Sequence, residues 1–300
     1  MNGRDLFLAA LVPLMWGLNF PASAILLAHY PPLLGAAIRF ALIAVPTLLF
    51  VPRPQIPVIW LLGTGIGVGF LHFAVLYAGI AEGMPAGLAS LVLQASAPFT
   101  VILAVMFLGE RLTPQRMLGI GVAIAGLVLV GSIRAQVVHW WPVMLTVLAA
   151  LSWACGNICI RKAQAPRPFH LALWMTVIPP VPLFLLSFVF EAELVAPALR
   201  TAMTPEALPA NLAMLFSAFG ASVIGFGAWN HLLTRYSAAS IAPLSMLVPV
   251  VGVLSGWIAF GEAPHLIELA GGALILIGIL IINRAAPDPR SAREPWEEAR

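Results

Sequence analysis

Residues 86–132 read AGLASLVLQASAPFTVILAVMFLGERLTPQRMLGIGVAIAGLVLVGS. The stretch from Ala86 to Leu108 carries no charge, halts at Gly109-Glu110-Arg111, and resumes as a second apolar run near Pro114. Each run has about the length that a helix needs to cross a bilayer, roughly 17–25 apolar residues. The same reading, applied outward, predicts spans near 6–28, 33–51, 57–81, 86–108, 114–132, 142–160, 169–190, 208–233, 238–260 and 266–283, each bounded by charges or Pro. The expected fold is therefore an all-α membrane protein of about ten helices. The longest connection, near 191–205, and the polar tail from Arg284 to Arg300 are both too short for a catalytic domain.

Composition supports the same solvent. Hydrophobic residues make up 61% of the 300 and charged residues 9%, with a mean hydropathy of +0.99, so a polar shell of the usual soluble kind (about 25% charge) has no residues to build it. In lipid each spanning segment must satisfy its own backbone, which forces helices. The net charge of +3 comes from basic residues spread over short loops. That pattern speaks against a nucleic-acid surface and for a topology signal. Ala22-Ser23-Ala24 resembles a signal-peptide cleavage site, but Trp16, Asn19 and Pro21 interrupt the apolar run, and retention of this helix is the expectation.

Lys and Arg accumulate in cytoplasmic loops. Counting alternate connections puts Arg4, Arg53, Arg111, Arg116, Arg161, Lys162, Arg167, Arg235, Arg284, Arg290, Arg293 and Arg300 on one side, against Arg134 and Arg200 on the other. Both termini are expected in the cytoplasm. The chain also repeats itself: Gly109-Glu110, Gly119 and Gly126 recur at one constant offset as Gly261-Glu262, Gly271 and Gly278, and Ala97-Pro98-Phe99 corresponds to Val248-Pro249-Val250. Five spans per half is an odd number, so the second copy must enter the membrane from the opposite side. The reading predicts one repeat at 1–135, an inverted repeat at 136–284 and a disordered tail at 285–300, with a substrate site between the halves.

Little chemistry is available to such a chain. Lys162 is the only lysine and no Gly-rich loop ends in Gly-Lys, which excludes a nucleotide-driven pump. The only aspartates, Asp5 and Asp288, lie outside the predicted spans, and Glu82, Glu110, Glu191 and Glu262 lie at helix ends or in loops. Too few carboxylates lie within the spans to hold a divalent metal, which counts against the different-class alternative, a membrane-embedded lipid enzyme, and no metal, cofactor or catalytic residue is expected. Cys155 and Cys159, four residues apart on one helix, have poor geometry for a disulfide and read as small packing residues.

The polar residues within the spans lie on discrete faces: Trp16 with Asn19, Ser90 with Gln94, and Trp153 with Asn157. A shared polar cavity accounts for them, and interhelical hydrogen bonding is the plainer reading. His72, near the middle of a span, fits either substrate contact or a neutral imidazole bonded to a neighbouring helix. Arg39 is costly in hydrocarbon and is expected to snorkel outward or to pair with an acceptor; a role in structure is favoured, with a substrate carboxylate as the other use. Pro98 and Pro249 occupy equivalent positions and form a candidate hinge pair, with static kinks as the alternative. Gly63, Gly67, Gly65 and Gly69 have the small-xxx-small spacing of close helix packing.

These motifs resemble the drug/metabolite transporter superfamily, and within it the EamA-type exporters of amino acids and their metabolites. The resemblance rests on Trp16-Gly17-Leu18-Asn19-Phe20, on the run from Gly83 to Ala95, on Gly109-Glu110-Arg111, on the run from Ser152 to Ile158 and on the run from Ala242 to Gly252. It is similar more broadly to the YddG-type amino-acid exporters. The resemblance implies a bacterial inner-membrane exporter of ten helices with its termini inside, whose cavity is formed mainly by the first, third, fourth, sixth, eighth and ninth helices; a monomer without cofactor or nucleic-acid partner is the expectation beside it. Small amino acids or their metabolites, cysteine-pathway compounds among them, are the implied substrates. Drug-like or nucleotide-linked solutes are the alternative cargo, and for phosphorylated ones Arg39 alone is a thin supply of positive charge. The substrate-contact set is Trp16, Asn19, His72, Gln94, Trp153, Asn157 and Trp229. The family pattern does not call for histidine at His72, so that residue bears on selectivity.

Overall fold

The computed structural model describes residues 3–109, 113–137, 140–235, 247–261 and 263–284. Among these the chain is all helix: α1 (Gly3–Leu27), α2 (Pro32–Phe50), α3 (Val58–Ala81), α4 (Ala86–Leu108), α5 (Pro114–Val137), α6 (Trp141–Ala163), α7 (Pro168–Phe190), α8 (Ala192–Thr201), α9 (205–235), α10 (Leu247–Phe260) and α11 (Leu266–Arg284). Seven of them, α1–α4, α6, α7 and α9, are long and apolar enough to cross a membrane, and Pro114–Val130, Leu247–Phe260 and Leu266–Ile282 are shorter apolar helices. Side chains such as Phe50, Ile258 and Leu266 are about four-fifths exposed. That is a heavy penalty in water and none in hydrocarbon.

Local sequence sets the boundaries. Pro stands at or just before the first turn of α2, α3, α4, α6 and α7, where its missing N–H has no helical partner to lose. Gly109 ends α4 and Gly261 ends α10 in the left-handed region, at φ +68° and +69°. The glycine of the repeated Gly-Glu pair is thus a helix stop that a side chain would strain; Glu110, Arg111 and Glu262 lie outside the described residues. One element was not foreseen: the connection near 191–205 holds α8, a short helix that buries Val195 and Ala198 and exposes Leu194 and Leu199.

Close backbone contact then assembles the helices. A Cβ on Gly119 would lie 2.7 Å from the Gly278 carbonyl, and one on Gly126 would lie 2.5 Å from the Gly271 carbonyl, so α5 and α11 cross antiparallel with glycine on both sides. On α3, Gly63 and Gly67 face Cys159 and Gly156 of α6, while Gly65 and Gly69 face Ile178 and Pro179 of α7. Cys159 serves there as a small packing group. Because lipid tails are as apolar as leucine, this kind of fit takes over the work that the hydrophobic effect does in water. The principal core, including Leu26, Leu34, Phe40, Phe73, Tyr77 and Leu183, gathers α1, α2, α3 and α7.

At one end of the bundle Glu191, leaving α7, accepts the Leu33 and Leu34 N–H groups at 2.8 and 3.1 Å and the Ser187 hydroxyl at 2.8 Å. A carboxylate thereby caps the open N-terminus of α2 from another helix. Next to it Tyr30 is buried and its hydroxyl is bonded to Asn211, which donates to the Ala202 carbonyl at 2.7 Å.

Adding one methyl where the backbones touch should therefore show in stability. Gly119→Ala is expected to cost about 1–3 kcal/mol by overpacking, whereas Gly121→Ala, with nothing within 4 Å, is expected to be neutral or slightly stabilising. Thermal unfolding of the two variants in detergent checks the pair; equal midpoints would disprove the contact.

Candidate functional site

Two helices depart from α-geometry over a long stretch: α3 is π-wound at Gly65–Leu71 and α9 at Phe216–Gly225. A wider turn shifts the hydrogen-bond register and leaves carbonyls available to outside donors. Both segments use this. The Trp16 indole N–H of α1 donates to Ala221 O at 3.0 Å, and the Ser152 hydroxyl of α6 donates to Gly67 O at 2.8 Å.

The residue following each π segment is aromatic or imidazole and meets a tryptophan. Phe226 lies 5.2 Å from Trp16 and His72 lies 4.8 Å from Trp153, between ring centroids. Trp229 adds a third ring, 5.5 Å from Trp16. Four of the predicted contact residues thus meet in two pairs, Trp16 with Trp229 between α1 and α9, and His72 with Trp153 between α3 and α6. His72 is buried, and its Nδ1 lies 2.9 Å from Ala149 O. A carbonyl only accepts, so the proton sits on Nδ1 and the ring is tied to α6 as a neighbouring helix would tie it.

Asn157 donates through Nδ2 to Thr100 Oγ1 of α4 at 3.1 Å. The buried Asn19 Oδ1 accepts no hydrogen bond from any described residue, and a buried acceptor of that kind is uncommon. Gln94 is half-buried in a tightened turn, Leu93–Ala95. Pro98, four residues on, cannot donate to the Gln94 carbonyl, which accounts for that turn. Ser90 bonds Gly87 O and lies 3.4 Å from Pro249 O, joining α4 to α10. Pro249 itself is buried in the first turn of the described part of α10, and 236–246, the start of the predicted ninth span, lies outside the described residues.

Arg39 does not snorkel. It is 3% exposed, and its guanidinium donates to Tyr77 Oη at 3.0 Å, Ser217 O at 3.3 Å and Ser222 Oγ at 3.2 Å, with the Phe73 ring 4.2 Å away. These partners come from α3 and α9. Every one is neutral, and among the described residues no carboxylate pairs with it; Nε is buried without a partner. Bonds to a charged donor, at about 1.5–3 kcal/mol each, and a cation–π contact offset the several kcal/mol that desolvating a cation costs. The cluster extends into α1: the Tyr77 and Ser23 hydroxyls are 3.4 Å apart, and Ser23 donates to Asn19 O at 2.7 Å.

Sequence reading missed Tyr77, Ser217, Ser222 and Phe226; their only signal was a polar or aromatic residue in the two glycine-containing spans that carry the π turns. It also placed Asp5 outside the first span. Asp5 is instead buried in the first turn of α1, with Oδ1 3.3 Å from His231 Nε2 of α9. No group of three or more His, Cys, Asp or Glu side chains able to hold a metal occurs among the described residues.

Apolar helices packed by glycine, with aromatic and amide groups gathered between them, define a multi-pass membrane transporter. The chain belongs to the EamA-like transporter family, which it matches over residues 4–132 and 140–284. It is 44% identical over 287 residues to the probable amino-acid metabolite efflux pump of Salmonella typhimurium (strain LT2), covering 94% of this chain and 95% of that protein. The protein of the same description in Escherichia coli (strain K12) is 41% identical over the same shares. A probable terminal-alkyne amino-acid exporter of Streptantibioticus cattleyicolor is 29% identical, over 90% of each chain. A solved crystal structure, 19% identical, superposes with a TM-score of 0.62 over 95% of this chain and 100% of the other, a likeness of fold.

The equivalence of His72 and Phe226 generates a test. His72→Phe keeps a ring against Trp153 and loses one hydrogen bond, so it should cost about 0.5–1.5 kcal/mol. His72→Ala opens a cavity and should cost about 2–4 kcal/mol. Thermal unfolding in detergent measures both; a His72→Phe variant no more stable than His72→Ala would show that the bond to Ala149, and not the ring packing, dominates.

Proposed function

We propose that the chain exports small amino acids or amino-acid metabolites across a bacterial inner membrane by alternating access, as a monomer with both termini in the cytoplasm. Ten spans form two inverted halves, 1–135 and 136–284, and the substrate binds between them. The observation that carries this reading is the paired arrangement of Trp16 with Phe226 and Trp229 and of Trp153 with His72, each built on a π-wound helix. The exchange of glycine partners supports the inversion: Gly119 meets Gly278 and Gly126 meets Gly271, which is what a two-fold axis relating the repeated positions produces. The family match on either side of residues 133–139 fits the same division.

A zwitterion needs an acceptor for its ammonium, a donor for its carboxylate and walls for its carbon skeleton. Among the described residues Asn19 Oδ1 is an acceptor without a partner and Arg39 Nε a donor without one, while Trp16, Trp153 and Trp229 supply the walls and Gln94 and Asn157 further polar contacts. Pro98 and Pro249 serve as hinges between the two facing states. Similarity to the probable amino-acid metabolite efflux pumps of Salmonella and Escherichia favours amino-acid metabolites over drug-like or nucleotide-linked cargo and over lipid chemistry.

Counterflow in proteoliposomes, screened over the amino acids and cysteine-pathway metabolites, tests the proposal. Uptake of at least one of them is expected, with Trp16→Ala, Asn19→Ala and Trp153→Ala each lowering it about tenfold or more, the cost of one lost contact of ~1.4 kcal/mol. A folded protein that moves none of them rules out this substrate class. Repeating the assay across pH with His72→Ala decides its part: an unchanged profile removes the imidazole from the coupling step.

A further inference from the structure

Away from the aromatic clusters, a cleft of about 310 Å³ opens where the α2–α3 and α6–α7 connections meet, lined by Arg53, Gln55, Arg167 and His170 and walled by Pro52, Pro54 and Pro166. No carboxylate lines it. Neither guanidinium makes a hydrogen bond or ion pair with any described residue, and three prolines, whose rings fix φ, stand beside them in the two loops. The two loops are also tied together, since the Trp174 indole N–H donates to Val51 O at 3.0 Å. Two arginines without a partner among the described residues, set with an imidazole and a carboxamide in one cleft, form a receptor for an oxyanion.

Two observations fix the source of that oxyanion. Arg53, Arg161, Lys162 and Arg167 all stand in or beside the two connections that form the cleft, at the ends of apolar helices, and Phe50 (80% exposed) and Val58 and Ile59 (50% and 63%) flank it in sequence. A ligand bound here has its charged end among arginines and bare apolar surface within one helical turn. Its volume is at the low end of the ~300–1,000 Å³ range of small-ligand sites, room for a headgroup and not for a whole lipid. We propose that this cleft binds the phosphodiester headgroup of an anionic phospholipid, the acyl chains lying along α2 and α3 outside it.

The test uses the purified full-length chain, delipidated in detergent, titrated with dioctanoyl phosphatidylglycerol, dioctanoyl phosphatidylcholine and inorganic phosphate, with binding read by isothermal titration and by the thermal midpoint. Phosphatidylglycerol is expected to bind about tenfold more tightly than phosphatidylcholine, with inorganic phosphate weak, and the double substitution Arg53→Gln/Arg167→Gln is expected to abolish the difference. Arg53→Lys/Arg167→Lys, which keeps the charge but not the fork, should retain part of the preference and guards against a folding defect in the Gln pair. Arg4→Gln/Arg284→Gln removes as much charge elsewhere and should leave the preference within about twofold of the parent. An equal loss in that control would assign the effect to diffuse charge and overturn the site. Inorganic phosphate binding as tightly as the lipid, through the same arginines, would overturn the lipid assignment, and no preference for phosphatidylglycerol in the parent chain would overturn the proposal outright.

Discussion

In hydrocarbon a peptide carbonyl without a donor has no water to turn to, and the arrangement of this protein follows from how that demand is met at its irregular turns. The π-wound segments of α3 and α9 release carbonyls deep in the bundle, and the donors that answer them, Ser152 and Trp16, come from α6 and α1. Each irregular turn is thereby locked to one particular neighbour. The aromatic residues of the candidate site stand beside these locks because the same widened turn that frees a carbonyl also sets the orientation of the next residue, His72 or Phe226. Backbone satisfaction and site construction are one event here.

Helix contacts rest on an equally plain requirement. With lipid outside and apolar side chains inside, solvent offers little reason for helices to associate, and closeness of approach decides. Glycine supplies it at Gly67 against Gly156 and at both crossings of α5 with α11. The larger side chains are left to face lipid or to fill the core around Phe40, Phe73 and Tyr77. Polar ties then choose among the packings that remain: Glu191 on the α2 N-terminus, Asn157 with Thr100, and Ser90 toward Pro249.

Much of this was legible in the sequence because bilayer thickness and the 3.6-residue period leave few choices. The run 57–81 predicts a helix found at Val58–Ala81, and the alternate glycines of that run pack two different neighbours as their spacing implies. Less was legible wherever an outcome depends on one helix meeting another. Nothing in Gly65–Leu71 or Phe216–Gly225 announces a π turn, since its cost is met by donors distant in sequence. Helix α8 was missed because ten residues of amphipathic sequence between two spans read equally well as a loop. For Arg39 burial was foreseeable as an alternative, but not its company: Tyr77, Ser217 and Ser222 arrive from helices whose adjacency only folding reveals.

That company has a mechanical consequence. An arginine locked to a carboxylate in a low-dielectric interior resists separation, because parting strands two opposite charges at once. Arg39 is held by hydroxyls, a carbonyl and an aromatic face, each a dipole or quadrupole and none a full negative charge. Sliding α9 past α2 would break hydrogen bonds to neutral partners and, among the described residues, no ion pair. A charge held in this way is a bearing and not a bolt: it ties α2 to α3 and α9 without an ion pair that would have to be broken if they moved.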